Sequence, residues 1–150
     1  MPRPLTEQER QVFLAEPRIG VLSVASGSER PPLTVPIWYS YQPGGPITFF
    51  TGTMGRQARK TRLIQEAGIV SLCVQKPEPP YKYATVEGTL IRTDQPPSAE
   101  QMLAVTRRYL PEEQAQGFVN MALQDPGETL ILFTVRPDRW LTFDFSDDAA

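Results

Sequence analysis

The sequence contains no histidine and only one cysteine among its 150 residues. The first absence excludes Ser-His-Asp and Cys-His hydrolases, His-ligated zinc or haem iron, and a histidine general base. The second excludes an internal disulfide framework and a Cys-rich metal cluster. No apolar run approaches the ~20 residues that cross a bilayer, and the opening MPRPLTEQERQ is polar, so the expectation is a cytoplasmic protein with no membrane partner. A basic excess is also missing. The net charge of −2 argues against nucleic acid as a partner. Any chemistry therefore falls to carboxylates, Lys or Arg, Tyr, backbone groups or a borrowed cofactor.

The length supports one domain over residues 1–150. Its charge is uneven: residues 1–55 are neutral, 56–108 carry +4 and 109–150 carry −6. Thr6 and Glu9 form a capping-box pattern that predicts a short helix over 6–16, closed by Pro17. RIGVLSVAS (18–26) and LTVPIWYSYQ (33–42) predict a hairpin, with Leu33, Val35, Ile37, Tyr39 and Tyr41 on one face of the second strand. Pro-Gly-Gly-Pro (43–46) turns the chain into a third strand, ITFFTG (47–52). A helix is expected over 56–67, a strand over 68–75, a long alternating strand over 81–93, and two helices within 98–123 separated at Pro111. TLILFTV (129–135) and RWLTFDF (139–145) read as two further strands joined by a Pro137-Asp138 turn. The pattern predicts a mainly β fold with peripheral α-helices, a six-stranded antiparallel barrel that need not close completely.

The most informative segment is TGTMGRQARKTRLI, residues 51–64. Lys60, Leu63, Ile64 and Ala67 share one helix face, which puts an ammonium on an apolar stripe where it needs an anion or a route to solvent. Arg56, Arg59 and Lys60 in the first turns oppose the helix dipole, and a bound phosphate would reverse that sign. Thr51 and Thr53 supply hydroxyls, and Gly52 and Gly55 let backbone N–H groups approach an oxyanion. The set reads as a phosphate cradle at a strand-to-helix junction. The plainer alternative is a solvated basic face with Lys60 reaching outward. Neither a Walker loop nor a dinucleotide fingerprint is present.

A second candidate is Pro36-Ile37-Trp38: proline in a strand marks an edge or bulge, and Trp38 offers a flat surface to a planar ring, with core or interface packing as the plainer reading. Tyr81, Tyr83 and Trp140 read first as core or interface aromatics. Cys73 reads as a buried structural thiol, Glu87 as a structural hydrogen-bonding group, and Asp144, Asp147 and Asp148 as a solvated tail.

Taken in order, VPIWYSY, ITFFTGTMGRQARKTRLIQEAGIVSLCV and PPYKYATVEGTLIR resemble the pyridoxamine 5′-phosphate oxidase-like proteins of the FMN-binding split-barrel fold, including their F420-dependent branch. The resemblance covers about residues 18–93 and implies a six-stranded antiparallel split β-barrel. It further implies a homodimer with FMN or F420 at the interface. Lys60 would hold the cofactor phosphate, with Arg59 and Arg56 assisting and Thr51, Gly52 and Thr53 as nearby donors. Pro36, Ile37 and Trp38 would lie along the ring, and Tyr81, Tyr83 or Trp140 would reach it from the other subunit. The chain departs from the family in its Arg59-Lys60 pair and its acidic C-terminal part, so pyridoxamine phosphate is not the expected substrate. The resulting expectation is an FMN- or F420-dependent oxidoreductase acting on a small conjugated molecule. No residue is assigned to proton transfer and no metal site is expected. The alternative is a non-catalytic split barrel that binds a flavin or another planar ligand; a haem-binding barrel is disfavoured for want of a histidine ligand.

Overall fold

The computed structural model describes residues 1–27, 29–52 and 58–146. Among these, four helices and seven strands run in the order α1 (Glu7–Ala15), β1 (Gly20–Val24), β2 (Leu33–Ile37), β3 (Ser40–Tyr41), β4 (Ile47–Gly52), α2 (Arg59–Ala67), β5 (Ile69–Lys76), β6 (Lys82–Asp94), α3 (Ala99–Thr106), α4 (Glu112–Gln124) and β7 (Leu130–Asp144). All strand pairs are antiparallel, in the spatial order β2-β1-β5-β6-β7-β4-β3. The fold is mainly β, of the split-barrel class.

The run 33–42 keeps its predicted alternation, with Ile37, Tyr39 and Tyr41 buried, yet it belongs to two strands and not one. β2 pairs with β1 at one edge of the sheet, and β3 pairs with β4 at the other. Only Trp38 and Tyr39 connect them, so Ile37 and Ser40 lie within about 11 Å at 3.8 Å per Cα step. The two edges are therefore brought together at this point, and the sheet curls into a barrel.

The last two predicted strands are one. β7 runs unbroken through Pro137 and Asp138, where a turn was expected. Glu87 pairs with Arg139 and Gly88 with Pro137, so Asp138 is an extra residue, accommodated as a bulge. Proline is tolerated here because β4 begins at Ile47 opposite Val135, leaving β7 unpaired on that side beyond it. A second irregularity makes Ile91 the extra residue on β6. Splitting one predicted strand and merging two others leaves seven strands, where a six-stranded barrel was the expectation.

The barrel interior is filled by Tyr39, Phe49, Phe133, Leu22, Ile47, Val74 and Val86, all essentially buried. α1 closes one end. Its predicted capping box is present between Thr6 and Glu9, and the Tyr39 hydroxyl donates to the carbonyl of Leu14 at 2.7 Å. α3 and α4 pack through Met102 and Val119 with Leu130 and Phe50, as a smaller cluster. The Arg3 and Asp144 backbones exchange hydrogen bonds at 3.1 and 2.7 Å, tying the two ends of the chain together. Among the described residues no helix is long and apolar enough to cross a membrane.

Candidate functional site

Arg59 and Lys60 open the first turn of α2, which starts at Arg59 and not at the expected residue 56. Residues 53–57, which include Arg56 and Thr53, lie outside the described residues. Ala58 occupies the N-cap and provides no side-chain hydrogen bond, and no acidic residue stands in the first turn. This helix end thus lacks the caps that complete α1 and α3. In place of a cap stand Arg59 and Lys60, both half-buried. Arg59 donates to the Ser26 hydroxyl beyond β1. Lys60 has no hydrogen bond or ion pair among the described residues, and burial holds its pKa below the ordinary lysine value of 10.5. The expected stripe is present: Leu63 and Ile64 are buried in the barrel core, with Ala67 packed against it.

Thr51 is buried and hydrogen-bonded to Thr61 at 2.8 Å, so the pair clamps the end of β4 to α2. Beside it, a Cβ added at Gly52 would meet the Glu128 carboxylate at 3.1 Å. A larger residue there would require the Glu128 side chain to shift. Glu128 and Ser26 were not singled out in the sequence, because each reaches the junction from a distant loop.

Pro36 is exposed on the edge strand β2, as its missing N–H requires. Ile37 is buried in the core. Trp38 is half-buried and stacks on Tyr109, with centroids 4.9 Å apart and planes 11° from parallel. Tyr109 is held in turn by its hydroxyl, which donates to the Arg18 carbonyl at 2.8 Å and accepts from the Tyr39 N–H at 3.2 Å. Ser26 lies beyond the Val24–Leu33 end of the hairpin, whereas Pro36 is three residues along β2 from Leu33, about 10 Å at strand rise. The basic anchor and the Pro36–Trp38 segment therefore sit at separate positions along one edge of the barrel.

Several other expectations change. Cys73 is not buried: it is half-buried on the outer sheet face, because its strand turns Val70, Leu72 and Val74 inward. Glu87 is exposed and makes no hydrogen bond among the described residues. Asp144 is no solvated tail: it is buried at the end of β7, where hydrogen bonds from Ser146 hold its carboxyl below the usual range and Lys82 and Arg3 add their charge. Asp147 and Asp148 lie outside the described residues. Tyr81 and Tyr83 form an aromatic strip with Phe143 and Phe145, whereas Trp140 packs against the core beside Tyr41.

The outer sheet face carries an open depression of about 530 Å³, lined among others by Ser23, Ala25, Ser71, Glu87, Gly88 and Arg139. It reaches the residue next to Ser26 and includes Glu87 and Gly88 of β6. Gly88 is required there: a Cβ would meet Val135 at 2.4 Å and the Arg136 carbonyl at 2.7 Å.

No family model and no curated protein matches the chain. Solved structures do. An F420 reductase aligns with 22% identity over 87% of this chain and 94% of its own, at a TM-score of 0.62. The conserved hypothetical protein Rv2991 from Mycobacterium tuberculosis aligns with 16% identity over 97% and 89% of the two chains, at 0.71. A FAD-binding protein from Mesorhizobium loti aligns with 17% identity over 96% and 98%, at 0.59. These likenesses establish the fold, and at that level they meet the split-barrel resemblance read from the sequence.

Proposed function

We propose that residues 1–150 form one split-barrel unit that binds FMN or F420 and acts as an oxidoreductase on a small conjugated molecule. The observation that carries this reading is Lys60, a half-buried cation without a partner among the described residues, at a helix N-terminus without a cap. A phosphate there would supply the missing counter-charge, accept from free backbone N–H groups and reverse an unfavourable dipole interaction. Arg59, already directed to this junction by Ser26, adds a second charge, and Arg56 and Thr53 belong to the same segment. Thr51 positions α2 through Thr61, and Gly52 leaves space beside the cradle. Pro36, Ile37 and Trp38 flank the ring along the barrel edge. The bound cofactor supplies hydride transfer, while these residues hold and orient it.

The functional unit in this reading is a homodimer. Across the outer face, Val21 lies opposite Cys73, Cys73 opposite Thr85 and Thr85 opposite Leu141, an uncharged row in which Val21 and Leu141 are exposed. In the next row Glu87 and Arg139 stand opposite each other without an ion pair. A twofold partner can bury the first row and cross-pair the charges of the second. The cofactor would then be enclosed between the copies, over the depression beside Ser26.

A non-catalytic carrier is the second reading, favoured by Trp38, whose ring is already occupied by Tyr109. The absorption spectrum of the purified protein tests for bound flavin or deazaflavin. Titration with FMN and with F420 then compares the natural chain with Lys60→Ala, which is expected to lose roughly tenfold or more in affinity for the true ligand. Unchanged binding of both would sink the cradle assignment. Reoxidation of reduced cofactor by candidate acceptors, faster than that of free cofactor, separates enzyme from carrier.

A further inference from the structure

At the barrel end covered by α1, remote in sequence from the cradle, lies a cavity of about 340 Å³, a volume within the range of small-molecule sites. Its apolar lining comes from Trp140, Tyr41, Pro46, Pro137 and Ile91. The two sheet irregularities build it: Ile91 is the extra residue on β6, and Pro137 and Trp140 flank the Asp138 bulge on β7. Bulges re-aim side chains in this manner, which is why Ile91, 52% exposed, stands at the cavity and not in the ladder.

The charge of the lining is unbalanced at one residue. Arg10 of α1 holds its guanidinium 4.9 Å from the centre of the Trp140 ring. Its Nε is buried without a hydrogen-bond partner, and among the described residues no carboxylate pairs with it. The other arginine of the lining, Arg136, is neutralised by Asp138 at 2.9 Å, and Asp138 also accepts from Thr89. Glu7 lies one turn before Arg10, exposed at the rim, and forms no ion pair with it. A half-buried guanidinium that stays charged at every accessible pH favours a counter-anion. The rim carboxylate of Glu7 disfavours a dianion, and the apolar lining disfavours a small hydrated ion.

We propose that this cavity binds a small apolar monocarboxylate, its carboxylate on the Arg10 guanidinium and its body against Ile91, Pro137, Pro46 and the exposed part of Trp140. The chain has two tryptophans, so Trp38→Phe leaves Trp140 as the only indole reporter. Titrating that variant with benzoate should give a saturable change in fluorescence. Arg10→Gln on the same background should weaken benzoate by about tenfold or more, the loss expected for a charge-assisted hydrogen bond. On the unaltered side, benzyl alcohol, which lacks the charge, and acetate, which lacks the apolar body, should each bind at least about tenfold more weakly than benzoate. If Arg10→Gln does not fold, this comparison decides by itself. Methyl chemical shifts of Ile91 should move with benzoate and not with acetate. Absence of saturable benzoate binding, equal binding of acetate or benzyl alcohol, or an unaffected folded Arg10→Gln chain overturns the proposal.

Discussion

Lys60 loses part of its hydration when α2 packs on the barrel, and its lowered pKa follows from that burial. A phosphate attracts only the protonated amine, so if the proposed cradle holds FMN or F420, that binding should weaken as pH rises through this lowered value. Lys60→Arg should flatten the dependence, since guanidinium stays charged; titration calorimetry across the alkaline range measures both. Glu9 shows the opposite sign. A bidentate contact with Arg3 and the Thr6 N–H hold its pKa at about 2, against an ordinary 4.5. The unfolded chain therefore binds this proton first as pH falls, and the stabilisation, complete above 4.5, disappears toward about 2. The difference in Tm between the natural chain and Glu9→Gln should close over that interval. Thr6 and Glu9 were legible as a capping box because the signal spans three residues. Arg3 was not, because its partners are set by the route of the chain end.

At the scale of elements, helix positions were readable from caps, periodicity and proline. Strand boundaries were less so, since alternation survives a change of partner. β2 and β3 share one uninterrupted inward face and yet lie at opposite sheet edges, which no local pattern distinguishes. Pro137 misled for a related reason: proline terminates a strand paired on both sides, but β7 is single-sided beyond Val135. Two glycines test this account of the elements. Gly88→Ala forces a methyl into Val135 and the Arg136 carbonyl and should destabilise by about 1–3 kcal/mol, as overpacking does. Gly117→Ala, in the exposed middle of α4 with open space around the added methyl, should stabilise by roughly 0.5–1 kcal/mol. Urea unfolding of the two variants reads opposite shifts in midpoint.

For the whole molecule, the proposed assembly places Leu141, 56% exposed, within a buried interface. Leu141→Glu should convert the dimer to monomer in sedimentation, with unfolding of the monomer little changed because the side chain lies outside the barrel core. A natural chain that sediments as a monomer removes the enclosed site. The sequence alone determined the kinds of chemistry open to this protein, its four helices and the inward face of the run 33–42. Those properties reside in composition and in neighbours a few positions apart. Tertiary structure decided the strand partners, the bulges at Ile91 and Asp138, the burial of Asp144 against Arg3, and the placing of Arg10 over Trp140. Each joins residues far apart in the chain, and such contacts are selected by closure of the barrel, where burial and backbone pairing must be satisfied together.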